Sequence, residues 1–245
     1  MSNKWTALKN FDEKKKATKL IVNYFPDCKG KKMISLTSTT CLDLEEMKKQ
    51  NKINDSTILF NIDNLESNDF IGTKTNKKQL HKQAVKKRYR EIMGSDIFYN
   101  KNKDNFILGQ NIQDIPLSGY VFEKNNECCD LIYADTCGFF NESILTWMEK
   151  APTLQSLKKD GIFALTVLLS RYKLEGDITF PKSNPDIIVI GQSISKKIFL
   201  EKMSIIANKI ENKTNNILQC SAMIGYGDNC QSPMGVIIFQ KNIDF

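Results

Sequence analysis

The residues most able to do chemistry lie in one stretch, Cys129 to Phe140, CDLIYADTCGFF. A short apolar run bounded by polar residues and glycine predicts a buried strand rather than a helix. The strand ends at Asp135-Thr136-Cys137-Gly138, which puts a carboxylate, two small side chains and a flexible residue where the chain runs out into a loop. In open parallel sheets that carboxyl edge is where ligands bind. The competing role for Asp135 is structural, as the cap of a helix beginning near Asn141. Asn141-Glu142-Ser143, however, offers caps of its own.

Other chemistries find little support. The single histidine, His81, falls on a lysine-rich helical stretch and reads as a surface residue, so no Ser-His-Asp or Cys-His system is recognisable. Seven cysteines occur without a CxxC pair, which argues against a structural metal site or a disulfide framework and for reduced, buried thiols. Gly225-Tyr226-Gly227 lacks the Lys and Ser/Thr that follow a phosphate loop, and a hairpin turn explains it better.

The elements that must position Asp135 follow from pattern. Apolar residues at Ala17, Leu20, Ile21 and Tyr24 predict a helix over residues 11 to 25, ended by Pro26 and Gly30. Lys32 to Leu36 predicts a first strand, Cys41 to Gln50 a helix with acids at its start and lysines at its end, and Ser56 to Ile62 a second strand closing at Asp63. Asn76 to Met93 predicts a long basic helix with a thin stripe of Leu80, Ala84, Val85 and Ile92. Ile97-Phe98-Tyr99 and Asn105 to Gly109 read as strands. Beyond the focal strand, a helical pattern runs from Asn141 to about Lys159, interrupted at Pro152 and capped by Gly161. Ile162 to Leu169 predicts a strand covered on both faces, and a short apolar run follows at Asp186 to Ile190. Then come a helix around Ile198 to Ile210 and a closing hairpin, Asn216 to Met223 and Met234 to Gln240. With 245 residues, no internal repeat and no low-complexity linker, the expectation is a single domain over 1–245, with residues 1–31 as an N-terminal helical extension.

This order resembles the class I S-adenosylmethionine-dependent methyltransferases over roughly Lys32 to Lys241. The resemblance implies a Rossmann-like α/β fold: a mostly parallel seven-stranded sheet, helices on both faces and a C-terminal antiparallel hairpin. It implies S-adenosylmethionine as cofactor, with Asp63 in FNID holding the ribose hydroxyls and Ser35, Thr37 and Ser38 facing the methionine end. The family's glycine-rich turn after strand one is replaced here by Leu36-Thr37-Ser38-Thr39-Thr40. Ser and Thr are small and their hydroxyls can substitute hydrogen bonds, but three β-branched residues stiffen the turn. Asp135-Thr136-Cys137-Gly138-Phe139 stands where amino-methylating nucleic-acid enzymes carry Asp or Asn, Pro, Pro, aromatic; it keeps the acid and an aromatic and loses both prolines. The resemblance thus makes Asp135, Thr136 and Cys137 the candidate catalytic residues, with Phe139 or Phe140 stacking a base. A Lys-Asp-Lys-Glu tetrad around Asp135 is a weaker alternative, since no spacing singles out its lysines. Cys137 as a nucleophile lacks the Pro-Cys context, and a strand-end Cys is more often a packing residue.

Net charge is +7, and Ile71 to Lys103 alone holds ten Lys or Arg against two acids. Lys82, Lys86 and Arg90, extended by Lys78, fall on one helical face about 6 Å apart, a spacing compatible with tracking a phosphate backbone. They are the candidate contacts to a nucleic-acid substrate; a solvated face or an acidic protein partner is the competing reading. The same fold without cofactor, acting as a binding module for nucleic acid or protein, is the second functional expectation. No apolar run approaches the length that spans a bilayer and the N-terminus lacks a secretory core, so no membrane role and an intracellular location, cytoplasmic or nuclear, are expected. The Lys-, Asn- and Ile-rich composition suggests an A·T-rich genome, viral or parasitic.

Overall fold

The computed structural model describes residues 11–36, 40–63, 74–108, 129–140, 144–146, 148, 156–169, 180–190, 196–227 and 233–242. Helix α1 spans Phe11–Asn23, strand β1 Lys32–Ser35, α2 Leu42–Lys49, β2 Ile58–Asp63, α3 Lys74–Met93 and α4 Ile97–Asn102. Strand β3 (Phe106–Leu108), β4 (Cys129–Phe139), β5 (Leu157–Leu168) and β6 (Asp186–Val189) follow, then α5 (Lys196–Lys213), β7 (Leu218–Tyr226) and β8 (Met234–Lys241).

The strands form one sheet in the order β3-β2-β1-β4-β5-β8-β7-β6. Pairings β1–β2, β2–β3, β1–β4, β4–β5 and β6–β7 are parallel, whereas β8 runs antiparallel to both β5 and β7. The mostly parallel sheet and its antiparallel C-terminal hairpin, β7–β8, are as expected. Among the described residues the sheet has eight strands, not seven: Asp186 to Val189, which reads only as a short apolar run, pairs with Ala222 to Gly225 and extends the β7 edge.

Successive strand residues face opposite layers. Ile34, Ile62, Ile132, Phe163, Leu165 and Val167 point to the layer of α5, where Phe199, Met203, Ile206 and Ile210 meet them. Met33, Leu59, Leu131, Tyr133 and Ala164 point to the other layer, against Ala17, Ile21 and Val22 of α1, Leu44 and Met47 of α2, and Val85 and Tyr89 of α3. Polar contacts fasten the helices of that layer. Lys52 Nζ donates to the carbonyls of Val22, Asn23 and Phe25, a cation at the negative end of the α1 dipole. Arg88 joins α3 to α2 through Glu45 and the Thr40 carbonyl.

Three local expectations are corrected. Ile97-Phe98-Tyr99 is helical, because Phe98 packs under Tyr89 and the Asn102 side chain accepts from Leu59 N–H and donates to the Thr57 carbonyl, docking α4 onto β2. Leu157 to Lys159 belongs to β5 rather than a helix: Leu157 pairs with Cys129 and Ile162 with Leu131, so the intervening residues bulge, and Asp160 rather than Gly161 takes the positive φ, 62°. His81 is buried, in line with Val85 and Tyr89 at four-residue steps, while Leu80 is exposed. Among the described residues, no helix is long and apolar enough to cross a membrane.

Gly225 of β7 lies beneath Phe199, whose Cδ1 would stand 2.6 Å from an added Cβ. Gly225→Ala should therefore destabilise the chain by about 1–3 kcal/mol through overpacking, read as a lower urea midpoint at unchanged slope. An unchanged midpoint would mean that Phe199 swings aside at no cost.

Candidate functional site

The site is built on register. Ser35, the last residue of β1, stands opposite Asn61 of β2 on one side and Tyr133 of β4 on the other. Asp63 and Asp135 each lie two residues further on, so both acids reach the same level of the carboxyl edge and flank the exit of β1. Two strand spacings separate them, about 10 Å between backbones. The order reverses here, with β2 and β3 to one side of β1 and β4 and β5 to the other, which makes this the switch-point crevice of an open parallel sheet.

Beneath the edge, Ser35 Oγ donates to Asp43 Oδ2 at 2.8 Å, and both side chains are buried. Asp43 sits in the first turn of α2. Burial pushes its carboxyl above the ordinary carboxylate range, and the charge of Asp135 adds to this; the Ser35 hydroxyl and the Leu44 N–H pull the other way. Tyr133 is buried on the same face, accepts from Thr166 Oγ1 at 3.4 Å and packs 5.3 Å from the Phe25 ring. Burial, with Asp135 next, raises the Tyr133 phenol well above its usual range.

Helix α1 crosses over this edge. Lys14 Nζ lies 3.6 Å from Asp135 Oδ2, and Glu13 Oε2 accepts the Gly227 N–H at 3.0 Å. Asp135 is 13% exposed at its side chain.

The candidate residues named from the sequence fare differently. Asp63 and Asp135 come level at one edge, but the strand expected to end at Asp135 instead runs on to Phe139, because β5 keeps pairing with it past a bulge between Asp135 and Gly138. Ser35 is buried with its hydroxyl engaged by Asp43, so it does not face an open site. Thr37 and Ser38 lie outside the described residues, as do the side chains of Asp63, Thr136, Cys137 and Phe139, although their backbones, Thr37 and Ser38 excepted, belong to β2 or β4. Phe140 packs, partly buried, against the α5-side layer. Lys78, Lys82, Lys86 and Arg90 are all exposed along one face of α3. Lys86 Nζ sits 5.4 Å over the Tyr99 ring, and Arg90 Nε donates to Asp96 at 2.7 Å. Cys28, Cys41, Cys129 and Cys220 are buried free thiols, and burial pushes Cys28 up to about 12, so it holds no thiolate at neutral pH.

Sequence reasoning missed Asp43 and Lys14. Asp43 carried a signal, an acid in the first turn of the helix that follows β1, but it read as a dipole partner. Lys14 carried none, because its contact with Asp135 spans half the chain.

No protein-family model and no curated protein matches the sequence. Among solved structures, the chain is similar to the N-methyltransferase NodS from Bradyrhizobium japonicum WM9 in complex with S-adenosyl-L-homocysteine, at 9% identity and TM-score 0.47, over 98% of this chain and 93% of that one. It is also similar to a variant of the 16S rRNA (adenine(1408)-N(1))-methyltransferase from Catenulisporales acidiphilia, at 6% identity and TM-score 0.40, over 94% of this chain and 91% of that one. At such identities the strand order and the edge residues of this chain must carry its function.

Asp43 gives a pH test. Its folded pKa is raised, so the native state binds more protons than the unfolded chain once pH passes the ordinary carboxylate range, and Asp43 then lowers stability as pH rises. Asp43→Asn keeps an acceptor for Ser35 and removes the ionisation. Relative to wild type, the variant should gain stability on going from pH 4 to pH 8 in urea unfolding. A stability difference independent of pH would show that Asp43 titrates normally.

Proposed function

We propose that the chain is an S-adenosylmethionine-dependent methyltransferase that acts on nucleic acid. The observation that carries the reading is the pair Asp63 and Asp135, level with each other on either side of the β1 exit at the switch point of the sheet. The donor set fits such a cofactor. Carboxylates suit ribose hydroxyls and a cationic amino-acid end, whereas a polyphosphate would call for several cations at this edge. Asp63 would hold the ribose hydroxyls, and Thr37 and Ser38 would lie along the methionine end, with Ser35 and Asp43 fixing their turn from beneath.

The bound cofactor supplies a methyl group already activated on a sulfonium. The chain's task is then alignment: Asp135 orients the acceptor by hydrogen bond, with Thr136 and Cys137 beside it and Phe139 or Phe140 available to stack a base. The α3 face supports a nucleic-acid acceptor, since Lys78, Lys82 and Lys86 present a row of exposed cations, while Arg90 shares its charge with Asp96.

Calorimetric titration with S-adenosylmethionine tests the cofactor: wild type should bind, and Asp63→Ala should weaken binding tenfold or more, on the order of 1.4 kcal/mol. No heat at millimolar cofactor would leave a methyltransferase-like fold that serves as a binding module. The acceptor is tested separately. Changing Lys78, Lys82 and Lys86 to Glu should weaken nucleic-acid binding for all sequences and flatten the salt dependence by about one unit for each phosphate no longer neutralised. An unchanged salt slope would remove α3 from the interface.

A further inference from the structure

The row of cations on α3 leads to an aromatic ring. Lys78, Lys82 and Lys86 are exposed at four-residue steps, each about 6 Å further along the helix. Lys86 Nζ then lies 5.4 Å over the ring of Tyr99 in α4. Tyr99 is partly buried against the layer of α2 and α3, and Phe106 meets its ring at 5.9 Å and 71°, which fixes the ring plane. Lys103 is exposed one turn further on, and its backbone N–H donates to the Tyr99 carbonyl. The ring thus has one lysine over its face and another a turn away on its own helix. Of the two acids that reach it, Asp96 is taken up by Arg90, and Asp104 follows Lys103 in sequence. As a brace the contact is spare. An exposed cation over a ring contributes little, and Arg90 on Asp96 and Tyr89 against Phe98 already close the α3–α4 corner.

We propose that this corner binds single-stranded nucleic acid, with Lys78, Lys82 and Lys86 along the phosphates and one base stacked on Tyr99. A stacked base holds a ring more strongly than an exposed ammonium does, so the base takes the face that Lys86 covers and Lys86 turns to the neighbouring phosphate. A duplex offers the same phosphates but keeps its bases paired and stacked within, out of reach of a ring on a helix surface. An acidic protein segment would satisfy the lysines and leave the ring unused. The inference deepens the nucleic-acid reading above and rests on it for the polyanion; it requires no bound cofactor.

Fluorescence anisotropy of the whole chain with a labelled oligothymidylate, alone or paired with oligoadenylate, tests the stack. Tyr99→Leu should weaken binding of the single strand about tenfold and leave the duplex unchanged, while Tyr99→Phe binds both as wild type does. The ring carries no charge, so the salt slope should stay the same in Tyr99→Leu, unlike in the triple lysine variant. In the wild-type chain the Tyr99 ring protons should move upfield as the oligothymidylate is added, which reads the stack without any substitution. Unmoved ring protons, or single-strand binding as tight in Tyr99→Leu as in wild type, would overturn the stack. Weakened binding in the lysine variant would then keep α3 as a phosphate contact, and the nucleic-acid reading would stand without Tyr99. Binding of neither form by wild type would overturn both together.

Discussion

Strand β1 is four residues long and pairs on both sides, and that double pairing sets the geometry of everything at the carboxyl edge. Its register fixes the level at which Asp63 closes β2 and at which Asp135 stands in β4. A slip of one residue would turn Ser35 away from Asp43 and drive Met33 into the layer of Ile34. The slip is resisted from both faces at once, because Met33 and Ile34 are each fully buried in a different layer. Four residues suffice as a ruler because neither face has room for an error.

The same alternation explains which parts of the fold could be read from the sequence. β1, β2, the apolar part of β5 and the closing hairpin are runs whose composition admits one period, and they stand close to their expected bounds. Ile97-Phe98-Tyr99 is three residues long, too short to show any period. Its helix is decided by a distant partner, the Asn102 amide taking backbone groups of β2. Leu157 to Asp160 is polar and precedes a glycine, which imitates a helix end, whereas β4 pairs with Leu157 and leaves the rest as a bulge. The buried line of α3 runs through His81 and Tyr89, polar enough to be mistaken for surface beside so many lysines.

The candidate site divides in the same way. Asp63 was legible because a strand-end acid is a local signal; Asp135 was legible as an acid after an apolar run, although β4 carries on past it through a bulge to Phe139. Asp43 was visible but ambiguous, since an acid in the first turn of a helix serves the dipole whether or not it touches a neighbouring strand. Only the fold brings its carboxyl onto Ser35. Lys14 was illegible, because its role comes from α1 crossing the sheet.

Electrostatics then gives the edge its character. A buried carboxyl at Asp43 and a second acid at Asp135 raise the cost of negative charge on the β1–β4 side, and Lys14 brings an ammonium to Asp135 from outside the sheet. Arg88, the cation of α3 aimed toward α2, is committed to Glu45, Glu91 and the Thr40 carbonyl, so it braces the turn region rather than neutralising the acids. The exposed cations Lys78, Lys82 and Lys86 stand on a face of α3 apart from its buried line of His81, Val85 and Tyr89. On the proposed reading, the edge acids would take a ligand with hydroxyls and a positive charge, and the cationic face of α3 would take a polyanion. A uniformly basic groove would instead draw a polyanion to the carboxyl edge itself, where Asp63 and Asp135 stand.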